Sequence, residues 1–261
     1  MSKLEVTLTE LRRLESRDGA GLLGNINAGA KFIVTIVYLI LILRIPLDEP
    51  VRLLWFFIYP IAFATASDIS YTSVFRRSLW ILPFVILIGI FNPLLQRSTE
   101  FVIYGIPVSE GWVSFTVIIM RGLLAMQAVI ILMENTGFFS LCNALHRMKM
   151  PLVLTTQLML VYRYISVLTE ECISMDRARK ARGYGNKAYS LRLWSNFVGQ
   201  LLLRSVDRAE RINKAMLARG FNGTMPEKKT VRWKLRDTLF TIITTGILAA
   251  LYYFKLENLF Y

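Results

Sequence analysis

The sequence predicts an all-α polytopic membrane protein with about five transmembrane helices and two long amphipathic cytoplasmic helices. Three observations predict it. Of 261 residues, 54% are hydrophobic, and these fall into blocks. Lysine and arginine are concentrated in one polar region, 135–237. Within that region two helical stripes each close on Ala-Arg-Gly followed by an aromatic residue.

Residues 1–28 are polar and of mixed charge, with no cleavable leader, so the first apolar block is expected to stay as an anchor. A bilayer core of about 30 Å needs roughly 17–25 apolar residues as a helix. Residues 29–43, 51–67, 79–95, 112–133 and 238–254 supply five such blocks. A sixth, 152–168, is ambiguous. Arg163 sits inside it, where a charge facing lipid is costly. A helix lying at the inner interface fits this block better than a sixth span.

Charge orients the chain. Basic residues favour the cytoplasmic side. With the N-terminus inside, residues 1–31 hold five of them, the loop after the second block two, and region 135–237 nineteen, so 26 of 31 lie inside. Arg44, Arg52, Arg97 and Lys255 fall outside, and Arg121 lies within the fourth block. The three-part organisation expected is therefore 1–134 (an N-terminal cytoplasmic segment and four spans), 135–237 (cytoplasmic or interfacial) and 238–261 (the last span and an outer tail). Region 135–237 has only seven acidic residues, so it carries +12 of the net +13. Anionic lipid headgroups, nucleic acid or an acidic protein groove could each suit it.

Two helices are expected there. Leu154, Leu158, Val161, Ile165, Leu168, Cys172 and Met175 follow at steps of three and four, which marks one helix face from about 152 to 182. Trp194, Val198, Leu201, Leu202, Ala209, Ile212 and Met216 form the stripe of a second helix, from about 191 to 219. Arg204, Arg208, Arg211 and Lys214 line its other face.

Their endings match. A shift of 37 residues aligns Asp176 with Asn213, Arg177 with Lys214, Ala178 with Ala215, Ala181 with Ala218, Arg182 with Arg219, Gly183 with Gly220 and Tyr184 with Phe221. Arginine in a last turn suits the negative helix terminus. Glycine next in line is expected in the left-handed conformation that stops a helix. The aromatic residue can fold back on the helix. One copy is ordinary helix punctuation. Two copies resemble a pair of plugs for a pair of sockets.

These residues carry a resemblance. The chain is similar to the T component of energy-coupling factor transporters, whose long cytoplasmic coupling helices bear two Ala-Arg-Gly signatures, matched here by Ala181-Arg182-Gly183 and Ala218-Arg219-Gly220. The stretch "NINAGAKFI" resembles the family's polar turn into its first helix. "ALHRMKMPLVLTTQLMLVYRYISVLTEE" resembles its basic-Pro segment, Tyr-Arg-Tyr block and paired glutamates. "MLVYRYISVLTEE" with "RARKARGY" looks most like the cobalt-type subgroup.

The resemblance implies a multi-pass plasma-membrane subunit with a cytoplasmic N-terminus, no catalysis and no cofactor of its own. Its partners would be two ATP-binding cassette ATPase subunits, a substrate-binding membrane subunit (the S component, CbiM-like) and membrane lipids, not nucleic acid. Arg182 and Arg219 would be the main ATPase contacts, with Arg179, Tyr184 and Phe221 in support. The cargo implied is cobalt, with nickel or a vitamin as alternatives.

Other residues carry less. His146 is the single histidine and cannot build a cobalt or nickel site alone. Met148, Met150, Met159 and Met175 are expected to fill apolar surface rather than bind metal. Cys142 and Cys172 have no metal spacing and are read as reduced thiols. Arg121 is expected to pack against a polar neighbour or snorkel outward. No Walker motif is present, so ATP hydrolysis belongs to partners. Two rivals remain: a subunit of a conventional ABC importer, and a membrane enzyme with Arg121, Asp68 and Glu134 gathered in one pocket.

Overall fold

The computed structural model describes residues 22–47, 50–95, 101–103, 106–108, 110–183, 191–223 and 233–253. The N-terminal 21 residues, Tyr184 with the rest of 184–190, and the tail after 253 lie outside the described residues. Among the described residues the fold is all-α apart from one short hairpin, β1 (Phe101–Ile103) paired antiparallel with β2 (Ile106–Val108). The chain divides into two compact units, one holding described residues 22–137 and 233–253, the other 138–223.

The first unit holds three of the four helical stretches long and apolar enough to cross a membrane and is termed the membrane unit. Helix α1 (Ala28–Arg44) begins at Asn27, whose side chain accepts the Gly29 amide at 2.9 Å. The second apolar block is not one helix. It breaks into α2 (Pro50–Phe56) and α3 (Ile58–Ala66). Pro60 has no amide proton, so the Phe56 carbonyl loses its partner one turn on. The Tyr38 hydroxyl donates to that carbonyl at 3.0 Å instead. Tyr38 and Tyr59 stack with ring centroids 4.0 Å apart.

The third block lies within a segmented apolar stretch, α4 (Tyr71–Ser78), a 3-10 turn, α5 (Leu82–Gly89) and α6 (Phe91–Leu95). It packs on α7 (Glu110–Thr136), the 27-residue centre of the unit. A Cβ on Gly122 would come within 2.9 Å of Val85, so α5 approaches α7 at van der Waals distance there. Helix α11 (Leu235–Tyr253) closes the unit against α1. The core is Val34, Tyr38, Ile42, Leu53, Phe56, Val117, Leu124 and Leu248, all buried.

Among the described residues, four stretches are long and apolar enough to cross a membrane: Tyr71–Leu94, Gly111–Thr136, Leu152–Arg182 and Leu235–Tyr253. Pro50–Ala66 is a shorter apolar pair, and α1 has 17 residues. The set differs from the sequence expectation in two ways: the first two expected blocks, 29–43 and 51–67, fall in helices shorter than these four, and Leu152–Arg182, expected at the interface, is among them, its apolar N-terminal half continuing without a break into a charged half.

Polar groups gather at one end of the membrane unit. The Asp237 carboxylate is 1% exposed and accepts the Asn27 amide at 2.9 Å and the Lys234 amide at 2.8 Å. It thus serves the N-termini of α1 and α11 together, where a negative charge is favoured. Lys31, also buried, donates from Nζ to the Asn135 side-chain oxygen at 3.1 Å. Asn135 donates to Ser67 Oγ at 2.7 Å. The start of α1, the end of α3, the end of α7 and the start of α11 therefore meet. These are the ends that the charge bias assigns to one side. At the other end Arg121 donates to the Ile45 carbonyl at 2.6 Å, capping α1, and the Arg52 guanidinium lies 4.6 Å from the Tyr252 ring centroid.

The second unit contains α8 (Phe138–Arg147), α9 (Leu152–Arg182) and α10 (Leu191–Ala218). Phe138 stacks on Tyr162 at 4.3 Å and Phe139 meets the same ring edge-on at 5.2 Å, fixing α8 to α9. Helices α9 and α10 run antiparallel. Glu171 accepts Arg204 at 2.6 Å and Arg208 at 3.0 Å, and Thr156 Oγ1 donates to the Gly223 carbonyl at 3.1 Å. The hydrogen bond from Arg204, with further help from Arg208, holds the Glu171 carboxyl below its ordinary range.

Two outcomes are expected. Asp237→Ala removes two charge-assisted hydrogen bonds and should cost about 2–4 kcal/mol in detergent thermal unfolding, with Asp237→Asn milder because it keeps one acceptor. Because the Glu171 value is depressed on folding, its contribution to the α9–α10 pair is present at neutral pH and is lost only as pH falls through that depressed value. Spin labels at Ser174 and Leu203 should keep one sharp distance down through the ordinary carboxylate range and broaden below it. Glu171→Gln should show the broad distribution at every pH.

Candidate functional site

The two Ala-Arg-Gly sequences end α9 and α10, but the backbone treats them differently. At α9 the helix runs through Arg182. The Gly183 amide donates to the Arg179 carbonyl at 3.0 Å and the Lys180 carbonyl at 3.3 Å. Gly183 itself is extended, with φ −93° and ψ 116°. The expected left-handed glycine is absent here; the single amide already serves both carbonyls with the backbone extended. Asp176, one turn back and buried, accepts Lys180 at 2.6 Å and Arg179 at 3.2 Å. Arg179 is therefore tied within its own helix.

At α10 the expectation holds. Gly220 has φ +78°. Its amide donates to the Leu217 carbonyl at 3.0 Å, and the Phe221 amide reaches the Met216 carbonyl at 3.0 Å. This is the Schellman pattern, which requires a left-handed residue at its centre. Phe221 folds back, half-buried, beside Met216.

Ala181, Arg182 and Gly183, and likewise Ala218, Arg219 and Gly220, are exposed. Neither Arg182 nor Arg219 makes a side-chain hydrogen bond or ion pair among the described residues. The planar donor fork of each is therefore uncommitted among the described residues. Because α9 and α10 are antiparallel, the arginines lie at opposite ends of the pair. Thr156 marks the Arg219 end, and Arg182 is 26 residues along α9, about 39 Å away at 1.5 Å per residue.

Other sequence candidates are dispersed. Arg121 caps α1, and Glu134 pairs with Arg77 at the far end of α7, so the pocket of Arg121, Asp68 and Glu134 is not assembled. Among the described residues no group of three or more histidines, cysteines or acids could hold a metal ion. His146 lies in the last turn of α8. The sequence reading missed Asp237 and Thr156, and it noted the paired glutamates without the Arg204 and Arg208 partners of Glu171. Lys234 and Asp237 have the three-residue spacing of a capping box without its usual Ser or Thr, which weakened that signal. Nothing local marks Thr156, since its partner is 67 residues away.

Residues 22–231 match the family model of CbiQ, cobalt transport protein. A cobalt transport protein CbiQ of Rhodobacter capsulatus is 30% identical over 44% of this chain and 48% of its own length. A putative fused cobalt transport protein CbiMQ of Methanocorpusculum labreanum is 31% identical over 51% of this chain and 23% of its own. The energy-coupling factor transporter transmembrane protein EcfT of Thermotoga maritima is 32% identical over 33% of this chain and 34% of its own. The chain thus spans about half or less of each of these three relatives. With the family match covering most of the chain and apolar helices long enough to cross a bilayer, the protein belongs to the CbiQ cobalt transport family, membrane T components of energy-coupling factor transporters.

Proposed function

We propose that this chain is a non-catalytic coupling subunit that docks one ATP-binding cassette ATPase at each end of the α9–α10 pair. The observation that carries it is the placement of two exposed, uncommitted arginines at opposite ends of one antiparallel helix pair. Arg182 and Arg219 each fit an acidic groove on one ATPase. Ala181 and Ala218 keep the backbone approachable, and Gly183 and Gly220 end the helices at the contact. Closure of the ATPase pair then moves both helix ends, and the amphipathic stripes pass that motion to a substrate-binding membrane subunit. The fused CbiMQ relative supports a CbiM-like partner for this role. Cobalt is the cargo that the family supports, and selecting it falls to that partner subunit. The 135–237 region faces the cytoplasm, with the N-terminus on the same side.

An affinity pull-down of the ATPase subunits tests this. Losing one desolvated arginine–carboxylate pair costs about 2–5 kcal/mol, which is roughly thirty-fold or more in affinity. Arg182→Ala and Arg219→Ala should each weaken ATPase retention and lower ATPase activity in the complex, and the double variant should abolish both. Equal retention by all four proteins would rule the docking role out.

The two glycines should respond differently to alanine. Gly220→Ala forces a left-handed alanine and should cost about 1–2 kcal/mol. Gly183→Ala places its Cβ 3.4 Å from the Arg179 carbonyl, an ordinary contact, on extended backbone, and should be close to neutral. Thermal unfolding of the two variants in detergent separates them.

A further inference from the structure

The chain after Arg219 does not leave the helix pair. Gly220 at φ +78° and Gly223 at φ +91° bend it twice within four residues. Between these bends Phe221, half-buried, lines a groove of about 520 Å³ between α9 and α10. Met216 and Ile212 of α10 and Leu160 and Tyr164 of α9 line the same groove. Two residues on, the Gly223 carbonyl accepts Thr156 Oγ1 at 3.1 Å, from a threonine that is 7% exposed. The segment carrying Arg219 is thus held at two points. One is a half-buried aromatic residue on the wall of an apolar groove. The other is a part-buried hydrogen bond from a buried threonine near the start of α9.

We propose that Phe221 and Thr156 are positioning residues for the Arg219 end, fixing its backbone so that the guanidinium is presented in one orientation. The proposal rests on the docking role given above. Neither residue needs to touch an ATPase. Thr156 is buried, and Phe221 is half-buried on the groove wall. Their effect is confined to one end, because Arg182 is about 39 Å away along α9. In binding terms, a helix end ordered before docking avoids the ordering cost at the moment of contact. Loss of either anchor should therefore weaken docking at the Arg219 end alone.

The test uses the complete complex with its ATPases. A photo-crosslinking amino acid is placed at Ala178 or at Ala215, equivalent exposed positions one turn before each arginine. Crosslinking to ATPase is then measured for each end in the same chain. Thr156→Val, which keeps the shape and removes the hydroxyl, should reduce the Ala215 crosslink about fivefold, as expected for one lost buried hydrogen bond. Phe221→Ala should reduce it at least as much. The Ala178 crosslink should stay unchanged in both. Thr156→Ser and Phe221→Tyr should restore the Ala215 signal.

If Thr156→Val and Phe221→Ala leave both crosslinks unchanged, the positioning role is wrong. If both ends fall together, the residues act on the unit as a whole, and the proposal is again overturned. If the unsubstituted chain gives no crosslink at either end, the docking reading itself fails, a result distinct from the other two.

Discussion

The membrane unit depends on one buried carboxylate. Asp237 lies between the N-termini of the first and last helices of the unit and accepts an amide from each. A buried charge is tolerated only when it is paired or fully hydrogen-bonded. Here the free amides and the positive ends of two helix dipoles do this at once. The contact joins residues 210 positions apart. It sets α1 beside α11, and the Lys31–Asn135–Ser67 chain then attaches the ends of α7 and α3. Lipid gives apolar helices little reason to prefer one another. The polar knot therefore supplies a specificity that the apolar surfaces lack, and close contacts such as Gly122 on Val85 refine it.

The second unit solves a different problem. Under the docking role proposed above, it presents two similar ends far apart on one body. Antiparallel pairing of α9 and α10 does so with few fixed contacts, chiefly Glu171 with its two arginines and Thr156 with Gly223. The ion pairs are exposed and weak individually. The hydrogen bond and the groove sit at the Arg219 end. The unit is thus chemically asymmetric, although its two endings are nearly the same word.

Much of this was legible in sequence. Period and charge marked the long helices, and Val161, Ile165 and Leu168 of the first stripe do line the groove with Ala209, Ile212 and Met216 of the second. The positions of both arginines followed from the repeat. The backbone at Gly183 did not, because a glycine permits a left-handed turn without requiring one, and the amide at that position had two carbonyls within reach. The break at Phe57 was signalled by Pro60, but a proline in the first turn of a helix reads the same as one that ends its predecessor. Arg121 was legible as an anomaly in an apolar block. Its partner, the Ile45 carbonyl, was not, because backbone acceptors leave no mark in the sequence.

The Tyr38 hydroxyl on the Phe56 carbonyl bears on what the α2–α3 break means for a protein in lipid. An open carbonyl in hydrocarbon is a defect that invites water or a neighbouring chain. With the phenol donating to it, that carbonyl keeps a partner. The proline interruption in the second apolar block is therefore mended by a side chain from the neighbouring helix, and the mend also ties the two helices together.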